Sequence, residues 1–333
     1  MWRRLRTHPQ RNEIFLSFII AALSVYLGLA TREFFSLENL LDVLLSYSFL
    51  GIMSAGMLVV LISGGIDISF TAIATVAQYT MSLIIINYGG NLLLAFLIAG
   101  AVGIFLGSVN GFLIHYLKVP AIIITIATLN VFYGLLIAVT KGRWIYAFPT
   151  WFYRVPSLFS FTTADGTEYA VTLPIVLLVA VFVSTAFLLR RTAVGRMLYA
   201  LGGNQEAAVR MGYNILRLRL FVYCFMGLLA GVASVVQAEI VQTVAPNSIV
   251  GRELEVLAAV VLGGASITGG TGTLPGTVLG VSLVAMMHNG LTLMGVSSYW
   301  HQVFVGAVIV ISVSVTAWSQ RAGRGRHRVE IEV

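Results

Sequence analysis

The chain has 333 residues, of which 58% are hydrophobic and only 10% charged, and its mean hydropathy is +0.93. Soluble domains carry about 25% charged residues, and a water-soluble fold could not cover so much apolar surface. The composition therefore predicts an integral membrane protein and excludes a disordered chain, a coiled coil and a small secreted scaffold. The only cysteine is Cys224, which excludes an intramolecular disulfide and a cysteine-rich metal site.

Long stretches without charged residues predict membrane-spanning helices. A spanning helix needs about 20 apolar residues, whereas a β-barrel would show short alternating segments. We predict a single domain, residues 1–333, with an all-α polytopic fold of about ten helices that are broken at Gly-Gly motifs. The predicted helices are 14–30, 48–63, 68–87, 92–116, 120–140, 171–189, 219–238, 254–265, 275–293 and 299–318. The eighth is short, which favours a half-helix.

The distribution of lysine and arginine predicts the orientation. An even number of spans puts both termini on one side, and cytoplasmic segments are enriched in Lys and Arg. With both termini cytoplasmic, fifteen of the 20 basic residues fall inside, at 3–11, at 118, at 190–219 and in the tail 319–333. The other five, Arg32, Lys141, Arg143, Arg154 and Arg252, fall outside. The net charge of +7 thus reports topology, and no nucleic-acid partner is expected.

Two segments outside the central spans leave alternatives open. The basic start and the apolar run 14–30 resemble a signal peptide, with Gly28-Leu29-Ala30 imitating a cleavage site. A retained helix keeps the even number of spans, and we favour it. The outer loop 141–169 carries Trp144 and Trp151, which fit either an interfacial aromatic belt or a docking surface for an outside partner.

The common motifs for catalysis and nucleotide binding are missing. A phosphate-binding P-loop needs Gly-Lys-Ser/Thr, and neither lysine, Lys118 or Lys141, follows a glycine. The run Gly270-Thr-Gly-Thr-Leu-Pro-Gly276 has the wrong spacing for a dinucleotide fingerprint. An intramembrane hydrolase built on Asp67, Ser69 and a histidine is conceivable, but no spacing assembles a nucleophile with its base. We expect no catalytic residue, no cofactor and no metal.

Two glycine-rich breaks interrupt the apolar pattern, at 63–69 and 260–276. So many glycines cannot extend a helix cheaply, and non-helical backbone inside a membrane must be buried in protein or line an aqueous cavity. In the first break, Asp67 fits either a cap for the next helix or a direct ligand contact. We expect both breaks to lie near a translocation route.

Polar side chains within the predicted spans are amides and hydroxyls rather than rings of carboxylates. They suit a neutral, hydrogen-bonding solute better than an ion, although hydrogen bonding between helices is the alternative for each. The candidate pathway residues are Gly64, Gly65, Asp67, Ser69, Asn130, Gly263, Gly264, Ser266 and Asn289.

The predicted cytoplasmic loop, residues 190–218, contains a short helix suited to contact another protein. Its pattern of a Gly-Gly-Asn turn, then Glu-Ala-Ala, then a terminating glycine predicts a capped helix over 204–212. Glu206 has a simple structural explanation as well, because a negative charge favours a helix N-terminus. The candidate coupling residues are Gly202, Gly203, Asn204, Glu206, Ala207, Ala208 and Gly212.

These motifs resemble those of ABC importer permeases. Glu206-Ala207-Ala208 with Gly212 is similar to the EAA loop of that superfamily. The runs Ser63–Ser69, Gly251–Gly264 and Asn289–Val296 look like the branch for monosaccharides such as ribose, xylose, arabinose and galactose. The chain departs from that branch at Phe70-Thr71, where a small Val-Gly pair is usual, and it lacks the Ile-x-Leu-Pro tail of the EAA pattern.

The resemblance implies a transport subunit without its own ATPase site, for a monosaccharide or a similar polyol or sugar-like solute. It implies three partners in a bacterial cytoplasmic membrane: a cytoplasmic ATPase, a second permease subunit and an extracytoplasmic sugar-binding protein. The alternative is a channel or secondary transporter that works without ATP. Such proteins usually place ionisable couplers in the membrane, and here Asp67 is almost alone.

Overall fold

The computed structural model describes residues 11–153, 156–162, 166, 168–297, 299, 300, 303, 306, 307 and 310. A β-hairpin, β1 (Ser157–Thr162) with β2 (Glu168–Thr172), lies between the sixth and seventh helices. The helices are α1 (Arg11–Ala30), α2 (Leu37–Ser46), α3 (Ser48–Ile62), α4 (Phe70–Tyr88), α5 (Leu92–Leu117), α6 (Ala121–Thr140), α7 (Leu173–Arg191), α8 (Ala193–Gly203), α9 (Gln205–Arg210), α10 (Ile215–Val241), α11 (Glu253–Leu262) and α12 (Leu274–Leu293).

The described helices confirm a polytopic membrane protein. Seven of them, α1, α4, α5, α6, α7, α10 and α12, are long and apolar enough to cross a membrane. The pair α2 and α3, bent by 51°, meets the same criterion as one broken span and raises the number of candidates to eight. The predicted helix 299–318 falls largely outside the described residues, and the basic tail 319–333 falls wholly outside them.

Helix α11 has the length of a half-span. Its 10 residues rise about 15 Å, half the thickness of a hydrocarbon core. Its first residue, Glu253, accepts a hydrogen bond from Thr71, the second residue of α4. The contact places the start of α11 beside the start of α4.

Helix α3 forms the centre of the core. All of its residues are buried, as expected for a helix that is apolar on every face. Small residues let its neighbours approach: a Cβ on Gly51 would lie 2.4 Å from Leu178 of α7, and one on Gly56 would lie 2.6 Å from Met226 of α10.

Helices α5 and α10 pack backbone to backbone. A Cβ on Gly103 would lie 2.0 Å from the carbonyl oxygen of Gly227, and one on Gly107 would lie 2.1 Å from that of Tyr223. Glycines repeated every fourth residue predict close helix packing in membranes, and this contact confirms that interpretation.

Two elements correct the sequence expectation. The fold is not strictly all-α, since it contains the hairpin β1–β2. The hairpin forms because its strands are rich in aromatic and β-branched residues, which favour extended backbone. The loop 190–218 contains α8 as well as the expected short helix. The Thr192 hydroxyl caps α8 by accepting a hydrogen bond from the Gly195 amide at 3.1 Å, and Gly202 and Gly203 are the last residues of that helix rather than loop.

Candidate functional site

The first break follows α3 and is closed by a buried polar cluster. The backbone turns at Gly64, whose φ of +81° favours glycine. Asp67 Oδ1 then accepts hydrogen bonds from the Ser69 amide at 2.8 Å and from the Ser69 hydroxyl at 2.6 Å. Asn110 of α5 donates to the same Ser69 hydroxyl at 2.6 Å. Asp67 therefore acts as a cap at the start of α4, and the amide of Asn110 ties that start to α5.

Asp67 is fully buried. Its second oxygen, Oδ2, has no hydrogen-bond partner, and the carboxylate forms no ion pair, among the described residues. A buried carboxylate inside a membrane bundle is costly, so this side chain is a strong candidate for a functional role beyond capping.

The second break follows α11 and packs against the start of α12. A Cβ on Gly263 would lie 2.3 Å from the carbonyl oxygen of Gly276. The hydroxyl of Ser266 lies 2.8 Å from that of Thr268, and the Ser266 amide donates to the Thr271 carbonyl at 3.0 Å. The break is therefore a folded loop with its own hydrogen bonds.

The two breaks meet each other and the end of α8. We call this contact the glycine junction; its members are Gly64, Gly202, Gly203, Gly269 and Gly270. The Gly270 amide donates a 3.0 Å hydrogen bond to the carbonyl oxygen of Ile62, the last residue of α3.

At Gly202, Gly269 and Gly270 the glycine junction has no room for a side chain. A Cβ on Gly202 would lie 1.9 Å from the Ile62 carbonyl oxygen, and one on Gly269 would lie 2.6 Å from the Gly64 Cα. Nearby, Tyr199 of α8 donates to the Gly272 carbonyl at 2.8 Å. Burial raises the pKa of Tyr199, so its hydroxyl stays protonated and remains a donor at neutral pH.

Helix α9 is joined to α8 through Asn204 alone and is largely exposed. The Asn204 side chain caps α9 by accepting a hydrogen bond from the Ala207 amide at 2.9 Å, and Gly212 follows the helix with φ +81°. Glu206 and Arg210 pair at 4.0 Å with side chains that are 88% and 83% exposed, so this pair adds little stability.

The two alanines of α9 face different ways. Ala207 is exposed, whereas Ala208 is buried against the rest of the chain. Successive helical residues point about 100° apart, so the candidate coupling residues Ala207 and Ala208 do not share one exposed face. Of the two alanines, only Ala207 remains available for contact with another protein.

Comparison with known proteins identifies the family. The family model described as "Branched-chain amino acid transport system / permease component" matches residues 39–313. The chain belongs to this permease family.

Several curated relatives match most of the permease. It is 32% identical over 306 residues to the ribose import permease protein RbsC of Escherichia coli (strain K12), covering 92% of each chain. It is 33% identical over 302 residues to RbsC of Bacillus subtilis (strain 168), covering 87% of this chain and 88% of that one. The autoinducer 2 import system permease protein LsrC of Yersinia enterocolitica is 31% identical over 293 residues, which cover 87% of this chain and 78% of that one. No solved structure matches significantly. These matches confirm the resemblance to monosaccharide import permeases.

The structure brings together some of the predicted pathway residues of the permease and separates others. Gly64 of the first break adjoins the second break, Gly65 adjoins Tyr223 of α10, and Asp67 and Ser69 share one hydrogen bond network. Asn130 is exposed on α6 and donates only to its own helix, at the Ile126 carbonyl. Asn289 of α12 exchanges hydrogen bonds with Asn39 of α2 at 2.7 and 3.2 Å, which is the interhelical contact proposed as the alternative for such amides.

A charged group for which the sequence motifs predict no role lies at the start of α11. Arg252 pairs with Glu255 at 3.2 Å and lies over the Phe49 ring, 4.7 Å from its centroid. The other Glu255 oxygen lies 3.7 Å from Nδ1 of His288 on α12. The signal was available, because Arg-Glu-Leu-Glu opens an apolar run in a chain with few charges.

Proposed function

We propose that this permease is the transmembrane subunit of an ATP-driven importer, and that it carries a monosaccharide or a similar polyol or sugar-like solute into the cell. The names of its relatives support an import function for ribose or a sugar-like solute. The scarcity of ionisable side chains in its spans supports a neutral cargo, because ion-coupled carriers usually place such groups in the membrane.

The observation that carries the proposal is the glycine junction. It connects an exposed cytoplasmic helix, α9, through α8 to the two breaks in the bundle. Because the backbones at Gly202, Ile62 and Gly270 are in direct contact, a displacement of α8 cannot be absorbed by flexible side chains and must move the breaks. A force applied to α9 by another protein can therefore open or close a passage beside Asp67 and Ser69.

We propose three partners for this mechanism. A cytoplasmic ATPase binds α9 and supplies the energy, since the chain has no P-loop. A second permease subunit, identical or homologous, completes the passage. An extracytoplasmic sugar-binding protein delivers the solute and supplies most of the specificity, and the outer segment with Trp144, Trp151 and the β-hairpin is a surface on which it can dock.

We also propose the complete topology. In a bacterial inner membrane, an arrangement of ten membrane helices, the short α11 among them, with both termini in the cytoplasm keeps the arginine-rich segment 190–219 on the same side as the ATPase. This arrangement follows the positive-inside rule, and it puts the outer loop 141–169 where a binding protein can reach it.

Reconstitution tests the proposal directly. The permease is inserted into liposomes with the ATPase, ATP is trapped in the compartment that contains the ATPase, and the binding protein and labelled ribose are added on the other side. We expect uptake that requires both partner proteins and hydrolysable ATP. Unlabelled monosaccharides should reduce the uptake of labelled ribose by competition. Uptake by the permease alone, following an ion gradient and indifferent to ATP, would instead establish a secondary transporter.

A further inference from the structure

A cavity of about 640 Å³ lies beside the first break and the start of α9. Three segments form its walls: residues 63–65 of the break, residues 114–121 at the turn from α5 to α6, and residues 201–223 from α8 to α10. It therefore sits between the exposed helix α9 and the first break.

The cavity is basic. Its walls carry His115, Lys118 and Arg219, and none of its described lining residues is acidic. Asp67 lies two residues beyond the lining residue Gly65, and one of its oxygens is engaged by Ser69. Lys118 is held at the rim by the end of α5, where its backbone adopts φ +54° as the helix terminates.

The guanidinium of Arg219 is positioned without a carboxylate partner in the described part of the chain. It donates through Nη1 to the Ile114 carbonyl at 3.3 Å and through Nη2 to the Gln205 Oε1 at 2.8 Å. A guanidinium has five N–H groups, so donors remain free to bind an oxygen-rich anion. Gln205 is the first residue of α9, so Arg219 already ties the cavity to that helix.

Unpaired polar atoms provide a second, independent observation. The Tyr223 side chain is 2% exposed and lines the cavity, yet its hydroxyl has no hydrogen-bond partner among the described residues. Gly65 leaves the space for this hydroxyl, because a Cβ there would lie 2.6 Å from it. Nδ1 of His115 is likewise without a hydrogen-bond partner within the described ranges. Buried polar groups are normally satisfied, so these two atoms are available to hydrogen-bond a molecule that enters the cavity.

We propose that this cavity binds a phosphate group. Arg219 and Lys118 supply the positive charge, the planar guanidinium of Arg219 matches phosphate oxygens, and the Tyr223 hydroxyl donates one further hydrogen bond. The phosphate can belong to a soluble phosphorylated metabolite or to the headgroup of an anionic lipid. In either case it contacts α10, the α5–α6 turn and the break together, and so restrains α9 relative to the break.

Binding to the full-length permease in nanodiscs tests the proposal and separates the two sources. In the first arm the nanodiscs contain only phosphatidylcholine, and binding of ³²P-labelled inorganic phosphate and of ribose 5-phosphate is measured by equilibrium dialysis. In the second arm the nanodiscs contain phosphatidylglycerol, and the lipid retained by the protein is counted by native mass spectrometry. Binding in the first arm identifies a soluble ligand, and retention in the second alone identifies a lipid headgroup.

Variants decide whether this cavity is the site. Exchanging Arg219 and Lys118 together for Gln should weaken binding by at least about tenfold, because both charge-assisted contacts are lost. The matched control exchanges Arg191 and Arg196 for Gln; it removes the same charge from the same predicted side of the membrane but from residues that do not line the cavity, and it should bind normally.

A milder variant controls for a loss of binding that is caused by misfolding. Tyr223→Phe removes only the unpaired hydroxyl and should weaken binding by a few-fold while the protein elutes from size exclusion as before. The proposal is overturned if neither arm shows saturable binding, or if the cavity variants and the control pair bind equally well.

Discussion

The amide of Gly270 donates a 3.0 Å hydrogen bond to the carbonyl oxygen of Ile62. These two residues are more than 200 positions apart; Ile62 is the last residue of α3, and Gly270 lies within the second break. The bond closes the second break onto the end of α3, and Gly202 of α8 is pressed against the same carbonyl oxygen. One oxygen atom is therefore the meeting point of both breaks and of the helix that leads to α9.

The first prediction concerns the glycine junction. Gly202→Ala puts a methyl group 1.9 Å from the Ile62 carbonyl oxygen and 2.7 Å from the Gly270 amide nitrogen. Backbone on both sides must shift, which should cost about 1–3 kcal/mol. We expect the purified permease variant to melt at a lower temperature. We also expect ATP-driven uptake to fall by a larger factor than the amount of the variant in the membrane.

Gly203→Ala is the matched control for this variant. It changes the next residue of the same helix, where a Cβ would meet no atom within 4 Å, and replacing a helical Gly by Ala is otherwise favourable by about 0.5–1 kcal/mol. We expect stability and uptake at or above the wild-type level. If the two variants behaved alike, the contact at Gly202 would have no mechanical importance.

The second prediction concerns the contact between α5 and α10. A methyl group from Gly107→Ala would lie 2.1 Å from the Tyr223 carbonyl oxygen, so the helices must separate, at a cost of about 1–3 kcal/mol. Gly134→Ala on α6 meets nothing within 4 Å and serves as control. Thermal unfolding in detergent should show a clear loss for the first variant and no loss for the second; equal melting temperatures would contradict the packing argument.

How much of this structure the sequence predicts depends on the range of the interactions. The helices and the α5–α10 contact follow from local composition and from glycines spaced by four. The glycine junction does not, because it brings together three segments far apart in the chain, and nothing in the spacing of Gly64, Gly202 and Gly270 tells which backbones meet.

The polar residues show the same limit. Asp67 is recognisable as a cap because its partner, Ser69, is two residues away. Asn130 and Asn289 look alike in sequence, yet one is exposed on α6 and the other pairs with Asn39 on α2. Only tertiary packing distinguishes a residue that faces the bundle from one that faces outward.

The third prediction separates the cap from the charge at Asp67. Asp67→Asn keeps an oxygen that can accept from the Ser69 amide, whereas Asp67→Ala removes the cap and should lower stability by about 1 kcal/mol. We expect near-normal melting for the Asn variant and a lower melting temperature for the Ala variant. If transport is lost in both variants while the Asn variant stays folded, the negative charge itself is needed in the passage. If the melting temperatures of both variants fall equally, the hydrogen bonds accepted by Oδ1 do not cap α4.

The fourth prediction concerns topology. A reporter active only outside the cytoplasm, fused after Trp151, should be active, and the same reporter fused after Gly203 should be silent. A reporter active only inside should give the reverse pattern. The reason is the predicted passage of one span, α7, between the two sites. Equal signals from both positions would rule out the ten-span arrangement.

The last prediction concerns α9. Ala207 is exposed on a helix that contacts the rest of the chain through the buried Ala208 and through the Arg219–Gln205 hydrogen bond. Ala207→Trp therefore enlarges the free face without disturbing the bundle, so expression and membrane insertion should be unchanged. We expect association with the ATPase, or its stimulated turnover, to be abolished, because the indole blocks the surface through which force must pass to the glycine junction. Ala193→Trp, at an exposed alanine in the first turn of α8, adds the same bulk elsewhere on the same predicted cytoplasmic segment and should leave uptake intact. Normal uptake by the Ala207 variant at normal abundance would show that the ATPase engages another part of the permease.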